Sequence, residues 1–136
     1  MEKIFYDNWL AKIILFTCDT ITLGPFVLTK QKSLSQYTIN HECTHARQWI
    51  EMAVASGIII WVMMLVFEIS PWWMLLAALF FYIWYGIEYL IRLAIYRNHR
   101  KAYKSICFET EARKAEYDSN YLENSHYFSW TKCFKQ

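Results

Sequence analysis

Between Gln48 and Ile91 the chain carries no lysine or arginine, and inside that interval the runs at about 52–67 and 69–91 are almost wholly apolar. A bilayer core takes about 20 helical residues, so each run is near the lower limit alone and sufficient once its amphipathic flanks are counted. Together they read as a transmembrane helical hairpin reversing at Glu68-Ile69-Ser70-Pro71. Two buried core helices are the alternative, but a chain of 136 residues has little left over to cover them.

Charge placement gives the hairpin a direction. All fourteen basic residues lie outside the apolar interval, five before it and nine after, while the reversal carries only Glu68. The positive-inside tendency then puts both termini in the cytoplasm. Trp72 and Trp73 suit the outer interface, and Trp49, Tyr89 and Tyr96 the inner one. The N-terminal segment is interrupted by Asp7 and Lys12 before an apolar run develops, so no cleavable signal is expected and the mature chain is expected to begin near Met1. Cys18, Cys43, Cys107 and Cys133 show no CxxC spacing, and a cytoplasmic setting keeps them reduced. A net charge of +2 gives no case for nucleic-acid binding.

Just upstream of the first apolar run stands His41-Glu42-Cys43-Thr44-His45, an HExxH pattern. Residues four apart share a helical face, so two imidazoles converge on one point and suit a zinc ion. Glu42, about 100° round the helix, reaches a water in the metal's open position. Zinc lowers the pKa of such a water toward ~7, and a glutamate can take its proton and pass it to a leaving group. Cys43 points away from that face. The alternative is a helix surface with two solvated histidines and a glutamate.

The flanks place the motif. Thr20–Lys30 contains two short β-prone runs around Gly24-Pro25, hence a β-hairpin. Ser33 or Ser35 can cap a helix that carries His41 and His45 and continues into the first span. A second long helix is expected from about Trp72 to Tyr96. If the hairpin is symmetric about residue 69 or 70, Glu51 lies opposite Glu88 and His41 opposite Asn98. With Arg47 and Arg92, these acids would form a charge cluster at the inner surface or snorkel separately to the headgroups. After the basic run Tyr96–Lys101, the segment Phe108–Glu116 reads as a helix on the same side as HExxH. It can supply a carboxylate as third ligand, or be solvated surface.

HECTH followed by Glu109-Thr110-Glu111-Ala112 resembles the HExxH plus ExxA arrangement of gluzincin metallopeptidases, including membrane-embedded ones of the CAAX-protease and heat-shock types. That resemblance implies Glu109 as the third zinc ligand and Ala112 as the small residue behind it. It leaves Glu111 and His99 as alternative ligands or supports. The next position is usually an aspartate supporting a histidine ligand; here it is Arg113. The segments Tyr82–Arg92, Tyr96-Arg97-Asn98 and Phe108–Ala112 are similar to a family of short bacterial membrane proteins of gluzincin-like zinc-metallopeptidase type, over roughly residues 20 to 130.

The expected fold is mainly α over 1–136 as a single membrane-embedded domain: a transmembrane helical hairpin continuous with the HExxH helix, a short β-hairpin upstream and a third ligand-bearing helix downstream. The expected function is a Zn2+-dependent metallopeptidase of the bacterial inner membrane, multi-pass, with metal site and termini cytoplasmic. Its substrate would be a peptide or membrane protein at the bilayer surface. The competing expectation is a non-catalytic small subunit of a larger membrane complex, or a sensor, with a structural or vestigial metal.

Overall fold

A computed structural model describes residues 3–7 and 19–135. Lys12 and Cys18, which entered the reading of the N-terminal segment, lie outside the described residues. The protein is mainly helical with a small sheet. Strands β1 (Lys3–Phe5), β2 (Thr20–Leu23) and β3 (Phe26–Thr29) lie in the order β1-β3-β2. β2 and β3 are antiparallel, with Leu23 opposite Phe26 and Thr20 opposite Thr29. Their two-residue connection is possible because Gly24 takes φ +61°, a conformation that costs glycine nothing. β1 joins β3 in parallel, an addition the sequence did not announce.

Helix α1 (Gln36–Phe67) is 32 residues long and carries the HExxH motif in its first third. Of the two candidate caps, Ser35 takes the role: its side chain accepts from the Thr38 amide at 3.2 Å. The helix stops where Glu68 turns left-handed, and Ser70-Pro71 opens a 3-10 turn (Pro71–Trp73) leading into α2 (Met74–Tyr96). Arg97, also left-handed, ends α2, and Asn98 caps the short α3 (His99–Ser105). Helix α4 (Cys107–Ala115), the brief α5 (Tyr121–Asn124) and a 3-10 segment (Ser129–Lys135) complete the chain.

Both α1 and the stretch Pro71–Tyr96 are long and apolar enough to cross a membrane, and only 17 % of each apolar window is buried within the protein. Two enclosed core helices would be covered far more than this. The two helices meet close to the reversal, where a β-carbon on Gly57 would lie 3.8 Å from that of Ala77. Their mutual register is not the symmetric one. Symmetry would set Ala78 opposite Trp61, whereas Trp49 donates its indole N–H to the Ala78 carbonyl at 2.9 Å. Glu51 and Glu88 consequently serve different neighbours. Glu51 holds Arg47 and receives the Phe128 amide and the Trp130 indole; Glu88 holds Arg92 and receives the Cys107 amide.

Those contacts fix α4 against the helix pair. Phe108 is completely buried, with its ring 4.7 Å from Phe81 and 4.7 Å from Trp130. Met52, Ile106 and Cys133 close the same core. Since Phe108 immediately precedes Glu109, packing this ring also aims that carboxylate.

Candidate metal centre

The N-terminal part of α1 presents His41 and His45 on one face, four residues apart, and α4 brings Glu109 to meet them. His45 Nε2 lies 3.1 Å from His41 Nε2 and 3.2 Å from Glu109 Oε1, and His41 Nε2 lies 3.7 Å from Glu109 Oε2. A tetrahedral zinc with bonds of about 2.0–2.1 Å requires donors about 3.3–3.4 Å apart; the two imidazole nitrogens stand near that spacing, and one donor atom from each of the three residues lies within 4.8 Å of the others. Among the described residues these three form the group that could hold a metal ion.

Outer hydrogen bonds fix what the converging nitrogens offer. His45 Nδ1 lies 2.8 Å from Gln48 Oε1, an atom that only accepts, since Gln48 Nε2 is donating to the Phe108 carbonyl and to Glu111 Oε2. His41 Nδ1 lies 2.7 Å from Glu116 Oε1, again an acceptor. Both Nδ1 atoms therefore carry hydrogen, and in the neutral rings both Nε2 atoms present lone pairs toward each other and toward a carboxylate. Glu109 Oε2 is buried with no hydrogen-bond partner. Two lone pairs and an orphaned carboxylate oxygen directed at one point fit a cation there.

Glu109 receives a further hydrogen bond from the Tyr85 hydroxyl at 2.8 Å. Burial alone would raise its carboxyl pKa. In the metal-free protein with His45 protonated, hydrogen bonding and charge from His45, then hydrogen bonds from Tyr103 and Tyr85, outweigh burial and hold it at about 2. The Tyr103 hydroxyl is pushed up, first by burial and then by the Glu109 charge.

Glu42 lies beside the triangle on the rim of a cleft of about 290 Å³ that is also lined by Thr22, Phe81, Tyr82 and Tyr103. Thr22 on β2 donates to Glu42 Oε2 at 2.6 Å, so the sheet orients this carboxylate. That contact, with Gln48 and Glu116, was missed in the sequence. Glu116 had a signal: it stands seven residues after Glu109, two helical turns along the same face.

The other candidates sit elsewhere. Glu111 receives Gln48 and the Tyr121 hydroxyl and stands behind His45 through Gln48. His99 is exposed and pairs with the Tyr89 hydroxyl at 2.6 Å, apart from the triangle. Ala112 is fully buried. Arg113 places Nη2 3.9 Å from Glu109 Oε2.

Comparison of the chain with known protein families, characterised proteins and solved structures finds no match.

Proposed function

We propose that the protein is a zinc-dependent metallopeptidase of the bacterial inner membrane, with α1 and α2 spanning the bilayer as a hairpin and the cleft on the cytoplasmic side. The observation that carries this reading is the triangle of His41, His45 and Glu109 with Glu42 beside it. Zinc, when bound, supplies a positive charge that acidifies water and polarises a peptide carbonyl. His41, His45 and Glu109 hold it, and Glu116 and Gln48 fix the tautomers that make this possible. Glu42 takes a proton from the attacking water and returns it to the departing amine, with Thr22 keeping its carboxylate turned toward the cleft. The substrate class that suits this placement is a peptide or membrane protein.

A second reading, a non-catalytic subunit or sensor with a structural metal, draws on Arg113. Its guanidinium stands near Glu109, and its Nε is buried without a hydrogen-bond partner. A cation so close to a ligand carboxylate weakens the attraction for metal.

The experiment is metal analysis and turnover of a membrane-tethered peptide library by wild type and Glu42→Gln. The variant keeps the size of the side chain and removes the base, so zinc content should be unchanged while hydrolysis falls by ~10² or more. Equal turnover by both proteins rules out this mechanism. Zinc binding without hydrolysis by wild type favours the second reading.

A further inference from the structure

The hairpin tip is clamped to the middle of α2. The Gly24 amide donates to the Tyr82 hydroxyl at 2.6 Å, and a β-carbon on Gly24 would lie 3.5 Å from the Trp49 ring, which is itself hydrogen-bonded to Ala78. Ala78 and Tyr82 lie inside the uncharged stretch that precedes Glu88. From Trp72 to Phe81 is nine residues, about 14 Å at ~1.5 Å per residue, or half of the ~30 Å hydrocarbon core. If α2 spans the bilayer, the rest of that core lies level with the hairpin tip and the cleft.

The outward face of the sheet matches such a setting. Phe5, Ile21, Leu23 and Phe26 share one face by register and are 41 %, 37 %, 47 % and 43 % exposed; the same face carries the buried Leu28 at its centre and, by register, Lys3 on the edge strand, a residue type that can carry its charge to the headgroups. The opposite face carries Thr22 toward Glu42. Four large apolar side chains on one face of so small a sheet are a surface that water does not favour. Their continuity with the lipid-facing side of α2, through the Gly24–Tyr82 clamp, names lipid acyl chains as the occupant.

We propose that β2 and β3 are bedded in the membrane leaflet on the metal side, with Phe5, Ile21, Leu23 and Phe26 against acyl chains, so that the cleft receives polypeptide segments already lying within that leaflet. This rests on the membrane placement proposed above and is independent of metal or turnover.

One added cysteine at a time is placed at Leu23, Phe26, Leu65 or Ser119 in the full chain carrying Cys18→Ser, with the buried Cys43, Cys107 and Cys133 retained and the chain without an added cysteine as labelling blank, then labelled with a nitroxide and reconstituted in phosphatidylcholine–phosphatidylglycerol vesicles. Collision with oxygen, which concentrates in acyl chains, is compared with collision with a water-soluble nickel chelate. Leu23 and Phe26 should resemble Leu65, with oxygen dominating, and differ from Ser119, where nickel dominates. Nickel dominance at Leu23 and Phe26 beside oxygen dominance at Leu65 overturns the proposal while leaving the spans intact. Shielding of both hairpin labels from both reagents overturns it too, because protein, such as a second copy, would then cover the face. A Leu65 label open to nickel removes the membrane placement and this inference with it.

Discussion

The carboxylate of Glu116 lies 2.7 Å from Nδ1 of His41, one helical turn beyond Arg113. Arg113 stands where an aspartate supporting a histidine was expected, and Glu116, three residues later, meets the His41 imidazole. Support of this kind fixes ring orientation and tautomer and raises ligand basicity. Glu116→Ala should therefore weaken zinc binding by about 10–100-fold without unfolding the protein, and Glu116→Gln, which still accepts a hydrogen bond, should lose less. Competition with a chromophoric chelator measures this. Equal affinity in wild type and Glu116→Ala would leave the contact without influence on the metal.

The acid limb of metal binding follows from Glu109. Its carboxyl, held at about 2, lies well below the ordinary carboxylate range, so it stays anionic throughout mildly acid conditions and takes up no proton there. Acid release of zinc in that range should therefore occur without proton uptake by Glu109, so Glu109→Gln, which weakens binding, should leave the steepness of the pH dependence unchanged in the same chelator competition. A shallower dependence in the variant would show Glu109 titrating. In the metal-free protein, the stabilisation carried by this depressed carboxyl is present above its unfolded value and disappears as pH falls through about 2.

Much of this site could be anticipated because its signals are local. Four-residue spacing on a helix puts His41 beside His45 wherever that helix goes, and a serine ahead of it caps it. Gly24-Pro25 marked the turn for the same reason. The tertiary partners were not legible in this way. Gln48 and Glu116 act through side-chain orientation after α4 has docked, and a three-residue strand such as β1 is too short to show a period. The helix register failed because counting outward from the reversal assumes equal advance along both helices. The approach of Gly57 to Ala77 sets α1 about five residues off the symmetric pairing, and Trp49 reaches further along α2 to Ala78.

The clamp on the hairpin tip has a measurable strength. Tyr82→Phe removes the acceptor of the Gly24 amide and leaves that donor unmatched in apolar surroundings, a loss of about 1–3 kcal/mol where the group is fully buried. Gly24→Ala meets the Trp49 ring at ordinary contact distance, so its cost comes from φ +61° and should be about 1 kcal/mol. Both variants should speed hydrogen exchange across β2 and β3 while leaving the middle of α1 protected. Unchanged exchange in Tyr82→Phe would mean that the hairpin is held elsewhere.

Topology can be tested at three exposed serines. Ser70 lies in the reversal between the long helices, Ser33 precedes α1, and Ser119 follows α4. Because all three are exposed, labelling of a cysteine substituted at each reports the side of the membrane and not burial. The absence of lysine and arginine between Arg47 and Arg92, with five basic residues before that interval and nine from Arg92 onward, predicts Ser70 on the outer side and Ser33 and Ser119 on the cytoplasmic side of the proposed hairpin. In intact spheroplasts a membrane-impermeant maleimide should therefore modify Ser70→Cys alone, and permeabilisation should open the other two. Modification of all three in intact cells would put the metal site outside. Modification of none until permeabilisation would leave every marker on the cytoplasmic side and replace the spanning hairpin with one that enters and leaves by the same face.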